Sequence, residues 1–166
     1  MEQYGLTQDS ALLHGTEVTL DEPGSPTFIG LRQQDFSGTV QCVLELDKGE
    51  AGLTCYMSEQ EHYEVALRRG ETGITALCRL NIGGVHQIQK EIPLTGNSAR
   101  LVIRMEPACY HFSVVTESGE THLGTGQSKY LSSEISSPFT GVILGLYAVG
   151  DNTVRFTNFS CVYTET

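Results

Sequence analysis

The sequence predicts an all-β fold, a two-sheet antiparallel β-sandwich of jelly-roll type, and three observations carry the prediction. Short runs alternate apolar and polar residues along most of the chain. Gly-, Asn- and Pro-bearing turn signals separate the runs, and no segment keeps helical periodicity for three turns. About a dozen such strands in one chain favour two sheets, because each sheet has one apolar face to cover. The 166 residues fit one domain, 1–166, large enough to bury about 70% of its unfolded surface without a disulfide or metal staple.

The elements follow in order. "SPTFIGLRQQDF" (25–36) reads as a strand with apolar flanks around Arg32, Gln33 and Gln34. Each of these polar groups would cost about 1–3 kcal/mol if buried without a partner. They are therefore expected either to tie the two sheets together or to bind the hydroxyls of a ligand. "TVQCVLEL" sets Val40, Cys42, Leu44 and Leu46 on one face, and "YEVAL" does so with Tyr63, Val65 and Leu67. "ITALCRL" points Ile74, Ala76, Cys78 and Leu80 inward, "LVIRM" points Leu101, Ile103 and Met105, and "YHFSV" points Tyr110, Phe112 and Val114. Between them "DKGEAG", "RRGETG", "NIGGV", "PLTGNSA", "EPA" and "ESGE" supply the turns. "FTGVILGLYA" (139–148) is apolar on both faces, which suits a strand covered on both sides or a loop leading into one.

A net charge of −10 and 18% charged residues oppose binding to phosphate backbones and anionic lipid, so neither nucleic acid nor a membrane is expected as a partner. The N-terminus "MEQYGLTQDS" lacks the basic and apolar parts of a secretion signal, so a cytoplasmic location, or a start inside a longer chain, is expected. The five cysteines, Cys42, Cys55, Cys78, Cys109 and Cys161, are widely spaced among apolar neighbours and read as reduced core thiols. No CxxC, HxH or HExxH occurs among the cysteines and the histidines His14, His62, His86, His111 and His122, so no metal site is expected. No cofactor is expected either; calcium among turn carboxylates such as Asp151 stays open. Paired carboxyl groups could do acid–base work, but acids such as Glu59, Glu61 and Glu64 fall on polar faces or in turns and read as solvated surface.

Three stretches in matching order, "SPTFIGLRQQDF", "EAGLTCYMSEQEHYEVAL" (50–67) and "FTGVILGLYAVG" (139–150), resemble the C-terminal jelly-roll of glycoside hydrolase family 43 β-xylosidases and arabinofuranosidases. The resemblance covers about Leu12 to Tyr163 and implies a concanavalin A-like fold. It implies that the catalytic acid and base lie on a preceding five-bladed propeller, so no activity is expected from this chain alone. The implied role is a non-catalytic accessory domain that packs on the propeller, in cis in the parent protein, and contributes a wall to a pocket for a xylo- or arabino-configured saccharide. The implied wall residue is Phe139, presented between Pro138, which restricts the backbone, and the Thr140–Gly141 pair, which permits a tight turn back; Phe139 capping its own core is the alternative. His62 and Tyr63 lie in a matched stretch, where ordering a neighbouring loop and touching a sugar are both open. The sequence departs from the family pattern at Leu31, where an arginine is usual, and near Thr157 and Asn158, where an aspartate and a tryptophan are usual. A stand-alone carbohydrate-binding module is the other reading, weakened by the absence of tryptophan.

Overall fold

The computed structural model describes residues 3–17, 19–20, 27–35, 37–127 and 142–164, with side chains from 10 onward except that of Thr27. Twelve strands run β1 Gln3–His14, β2 Thr27–Arg32, β3 Gly38–Glu45, β4 Glu50–Ser58, β5 Glu61–Arg69, β6 Ile74–Ile82, β7 Val85–Pro93, β8 Ser98–Met105, β9 Cys109–Thr116, β10 Gly119–Gln127, β11 Ile143–Val149 and β12 Thr153–Thr164. No helix occurs among the described residues. The first sheet has the order β1-β12-β3-β8-β9-β10 and the second β2-β11-β4-β5-β6-β7, each of six strands. Pairing is antiparallel throughout both sheets. This is a concanavalin A-like β-sandwich.

The core lies between the sheets and is made by the strand alternation. Val40, Cys42, Leu44 and Leu46 from the β3 run pack with Leu101, Ile103 and Met105 of β8 and Tyr110, Phe112 and Val114 of β9. Facing them are Tyr63, Val65 and Leu67 of β5 and Ile74, Ala76, Cys78 and Leu80 of β6. All these inward residues were expected from period-two spacing. At about 25 cal/mol per Å² of apolar surface, burial of such side chains is the main favourable term in the fold.

The second sheet is covered on its other face as well. Leu20, Ala66, Leu77 and Tyr147 form a separate buried cluster there, flanked by Phe28, Tyr56 and Val149. The chain after β1 reaches this face through a bridge from Thr16 to Val149 and the hydrogen bonds Gly15 N→Asn152 O and Gly150 N→Thr16 O at 2.9 and 2.7 Å. That cover explains the apolar run in β11, where Leu144, Leu146 and Ala148 face the main core and Tyr147 faces the second cluster. Four of the five cysteines are buried and all five are free thiols; Cys109 is half-buried.

β1 starts at Gln3 and pairs with β12 out to Thr164. Near the family departures, β12 carries a bulge between Thr157 and Ser160, and Asn158 adopts a left-handed backbone with φ of 53°, which asparagine accepts more readily than most residues.

Candidate functional site

Residues 128–141, with Pro138, Phe139 and Thr140, lie outside the described residues. They are flanked by Gln127, the last residue of β10, and Val142, ahead of β11. The hydroxyl of Tyr63 donates to the Gln127 carbonyl at 2.6 Å. On the other side the Gln33 backbone N–H donates to the Val142 carbonyl at 2.9 Å. Two candidates from separate parts of the sequence thus hold opposite ends of the same connection.

The side chains behind these bonds form one cluster. Tyr110 of β9 donates its hydroxyl to Gln33 Oε1 at 2.7 Å, and the Gln33 side-chain amide donates to the Asp35 carbonyl at 2.8 Å. Tyr110 and Tyr63 meet edge-on with ring centroids 6.2 Å apart, and Tyr63 also meets Phe112 edge-on at 6.1 Å. Gln33 therefore links the second sheet to the first, with both its amide ends in use although it is buried. Burial pushes the Tyr110 hydroxyl well above the usual phenol range, so it stays a donor. Gln34 adds a backbone bond to the Tyr163 hydroxyl at 2.9 Å, while its side chain turns back to the Arg32 carbonyl at 3.2 Å. Arg32 and Gln34 are otherwise exposed.

His62 lies on the opposite face of β5 from Tyr63, as strand alternation requires, and belongs to a different group. On the outer face of the second sheet, His62 Nδ1 lies 2.6 Å from Glu64 Oε2, and Asn81 Nδ2 lies 3.0 Å from His62 Nε2. An amide N–H directed at Nε2 fixes the proton on Nδ1, where it is donated to Glu64. Arg79 donates through Nε to Glu64 Oε1 at 2.8 Å and through its two terminal nitrogens to Glu50 at 3.1 and 2.6 Å. Tyr147 closes the group with a 2.6 Å hydrogen bond to Glu50 Oε2. Burial works against the Arg79 charge, but the Glu64 and Glu50 carboxylates outweigh it and hold the guanidinium protonated well above its ordinary range. Burial first, then the Glu50 charge, raise the Tyr147 phenol well above its usual value.

The position of Glu64 corrects the sequence expectation: it is 0% exposed, not solvated surface. The polar face of β5 was read correctly, but the face itself is covered, and the charge is matched by Arg79 directly across the strand pair. Arg79, Glu50 and Tyr147 were not singled out from sequence. The available signal was the opposite charge at facing outward positions of "EHYEVAL" and "ITALCRL". Glu59 is exposed and Glu61 half-buried.

The small cleft beside this network holds about 120 Å³, against the roughly 300–1,000 Å³ of ordinary small-molecule sites. Glu50 and Glu64 are both committed to Arg79, so the network suits holding the sheet face together rather than receiving a sugar. A larger concavity of about 400 Å³ crosses the outer face of the first sheet near Glu45, Asp47, Arg155 and Thr157, and no aromatic ring lines it.

A family model described as Beta xylosidase C-terminal Concanavalin A-like domain matches residues 5–161. The chain is 30% identical over 148 residues to the non-reducing end α-L-arabinofuranosidase BoGH43B of Bacteroides ovatus, a match covering 86% of this chain and 28% of that protein. The crystal structure of xylan β-1,4-xylosidase from Bacillus halodurans C-125 has the same fold, with a TM-score of 0.81 at 21% identity over 92% of this chain and 32% of that one. A functionally unknown protein from Saccharomyces cerevisiae also has the fold, with a TM-score of 0.67 at 11% identity, covering 99% of this chain and 89% of that one. The chain thus spans 28% and 32% of the length of these two glycosidases.

Proposed function

This chain belongs to the β-xylosidase C-terminal concanavalin A-like domain family and is an accessory domain; from that premise we propose that it packs on a five-bladed catalytic propeller and lends Phe139 to the wall of its sugar pocket. The observation that supports this reading is the pair of hydrogen bonds on the two residues flanking 128–141, Tyr63 to Gln127 and Gln33 to Val142. A ring that closes a pocket must be held from the sandwich side, and these bonds supply a fixed base on both sheets. The ring would contribute about 1 kcal/mol by packing on the sugar and excluding water. The saccharide is of the xylo or arabino type, and the propeller lies in cis in the parent protein.

The reading frame upstream of this chain and a calorimetric titration test the proposal together. A frame that continues upstream through a propeller, and binding of the isolated chain to that propeller, are the expected results. A stop codon directly ahead of Met1, or no binding, overturns the cis arrangement. The second reading is an independent carbohydrate-binding module, a sandwich that stands without a propeller, as the fold does over 89% of the yeast chain. Titration with xylo-oligosaccharides separates the two: millimolar or tighter binding by this chain alone favours the module.

A further inference from the structure

We propose that Glu106, Cys109 and His111 form a zinc-binding site on the outer face of the first sheet. The three donor atoms lie at the corners of a compact triangle: Cys109 Sγ is 3.5 Å from Glu106 Oε2 and 3.3 Å from His111 Nε2, and Nε2 is 3.0 Å from Oε2. Tetrahedral zinc with bonds of about 2.3 Å to sulfur and about 2.0–2.1 Å to nitrogen and oxygen requires ligand-to-ligand edges of about 3.3–3.6 Å. All three sides agree with those edges to within about 0.3 Å.

The fold assembles the triangle from residues whose spacing carries no metal signature. Glu106 and Cys109 face each other across the β8–β9 turn, closed by the Glu106 N→Cys109 O bond at 2.9 Å and containing Pro107. His111 follows Cys109 by two residues on β9, so both project outward while Tyr110 and Phe112 enter the core. A bulge in β10 between His122 and Gly124 puts His122 and Thr125 on this same face, although an odd spacing would otherwise separate them.

That bulge completes an outer layer. Thr125 pairs directly with His111, and its hydroxyl lies 3.2 Å from His111 Nδ1 and 3.1 Å from His122 Nε2. With zinc on Nε2, the ring proton sits on Nδ1 and is donated to Thr125, whose hydroxyl donates in turn to His122. Such a partner on the second ring nitrogen is the usual support of a zinc-bound histidine. Imidazole, thiolate and carboxylate together suit zinc better than calcium or magnesium. On binding, the proton that His111 Nε2 donates to Glu106 Oε2 is exchanged through solvent for one on Nδ1, the thiol proton leaves to solvent, Cys109 ligates as thiolate, and water fills the fourth position beside the exposed Glu106.

The test uses the untagged, reduced, chelator-treated chain, with zinc competed against a chromophoric indicator and cobalt(II) as a spectroscopic substitute. The expected result is a single bound ion, with a thiolate-to-cobalt charge-transfer band that disappears in Cys109→Ser. Cys109→Ser and His111→Gln should each weaken zinc binding by more than ten-fold. Thr125→Val should weaken it by about ten-fold through loss of the outer layer, and His14→Gln should leave it unchanged. The exposed or half-buried positions allow each variant to be checked for folding by its melting curve in the absence of zinc. Absence of binding, binding that survives both Cys109→Ser and His111→Gln, or a cobalt complex without a thiolate band would overturn the proposal.

Discussion

Tyr63, on the second sheet, donates its hydroxyl to the carbonyl of Gln127, on the first, at 2.6 Å. Its ring is a core residue, yet its polar tip reaches the point where the chain leaves β10. Core packing and the position of the Gln127 carbonyl therefore depend on the same side chain, and that dependence is open to measurement.

Removing only the hydroxyl, in Tyr63→Phe, should lower stability by about 1 kcal/mol, because the ring still fills the core while the Gln127 carbonyl loses its partner. Hydrogen exchange should accelerate at the end of β10. Gly126→Ala attacks the same contact from the other side, since a Cβ there would lie 2.5 Å from the Tyr63 ring. It should cost about 1–3 kcal/mol by overpacking, and the two substitutions should be non-additive in denaturant titrations.

Arg79→Leu would leave Glu50 and Glu64 together on a covered face without their cation. Breaking such a pair from one side typically costs about 3–5 kcal/mol. Chemical denaturation should therefore place Arg79→Leu among the most destabilising single changes outside the main core, well beyond Arg104→Leu, whose partner Glu120 is surface-exposed.

Acid sensitivity should be graded by the surface carboxylates. The Thr75 hydroxyl first, then Arg68, hold Glu91 below its ordinary value of 4.5, and Arg104 does the same for Glu120. A carboxyl with a depressed native pKa contributes stability that is fully present above its unfolded value and is lost as the pH falls through the native one. Stability should thus decline below about pH 4.5, and Glu91→Gln should flatten that decline. Melting curves across the acid range, repeated at high salt where the effect should shrink, check this.

The sequence and the structure agree where one face of a strand decides its fate. Val40, Leu44, Tyr63, Val65, Ile103 and Phe112 all lie inward, because period-two alternation identifies the greasy side directly. What alternation cannot reveal is whether the other side is covered. Glu64 and His62 stand at polar positions of β5 but are buried, beside a cleft that Thr19 and Leu20, distant in sequence, also line. Edge strands were harder for a related reason. β7, "VHQIQKEIP", is almost entirely exposed and is held chiefly by pairing with β6, a backbone interaction that leaves little trace in side-chain pattern. The anchoring roles of Gln33 and Tyr63 could be reached from sequence only as a need for partners; the partners Tyr110 and Gln127 come from register across the sandwich.

The central claim is that the sandwich holds Phe139 against the sugar pocket of a catalytic propeller, and the most direct measurement is xyloside or arabinoside turnover by the parent propeller with this domain supplied intact or as Phe139→Ala. The account predicts that both forms bind, that the intact domain raises kcat/KM, and that Phe139→Ala forfeits about five-fold of that gain, the equivalent of about 1 kcal/mol. Equal turnover with the two forms, each folded and bound, would contradict it.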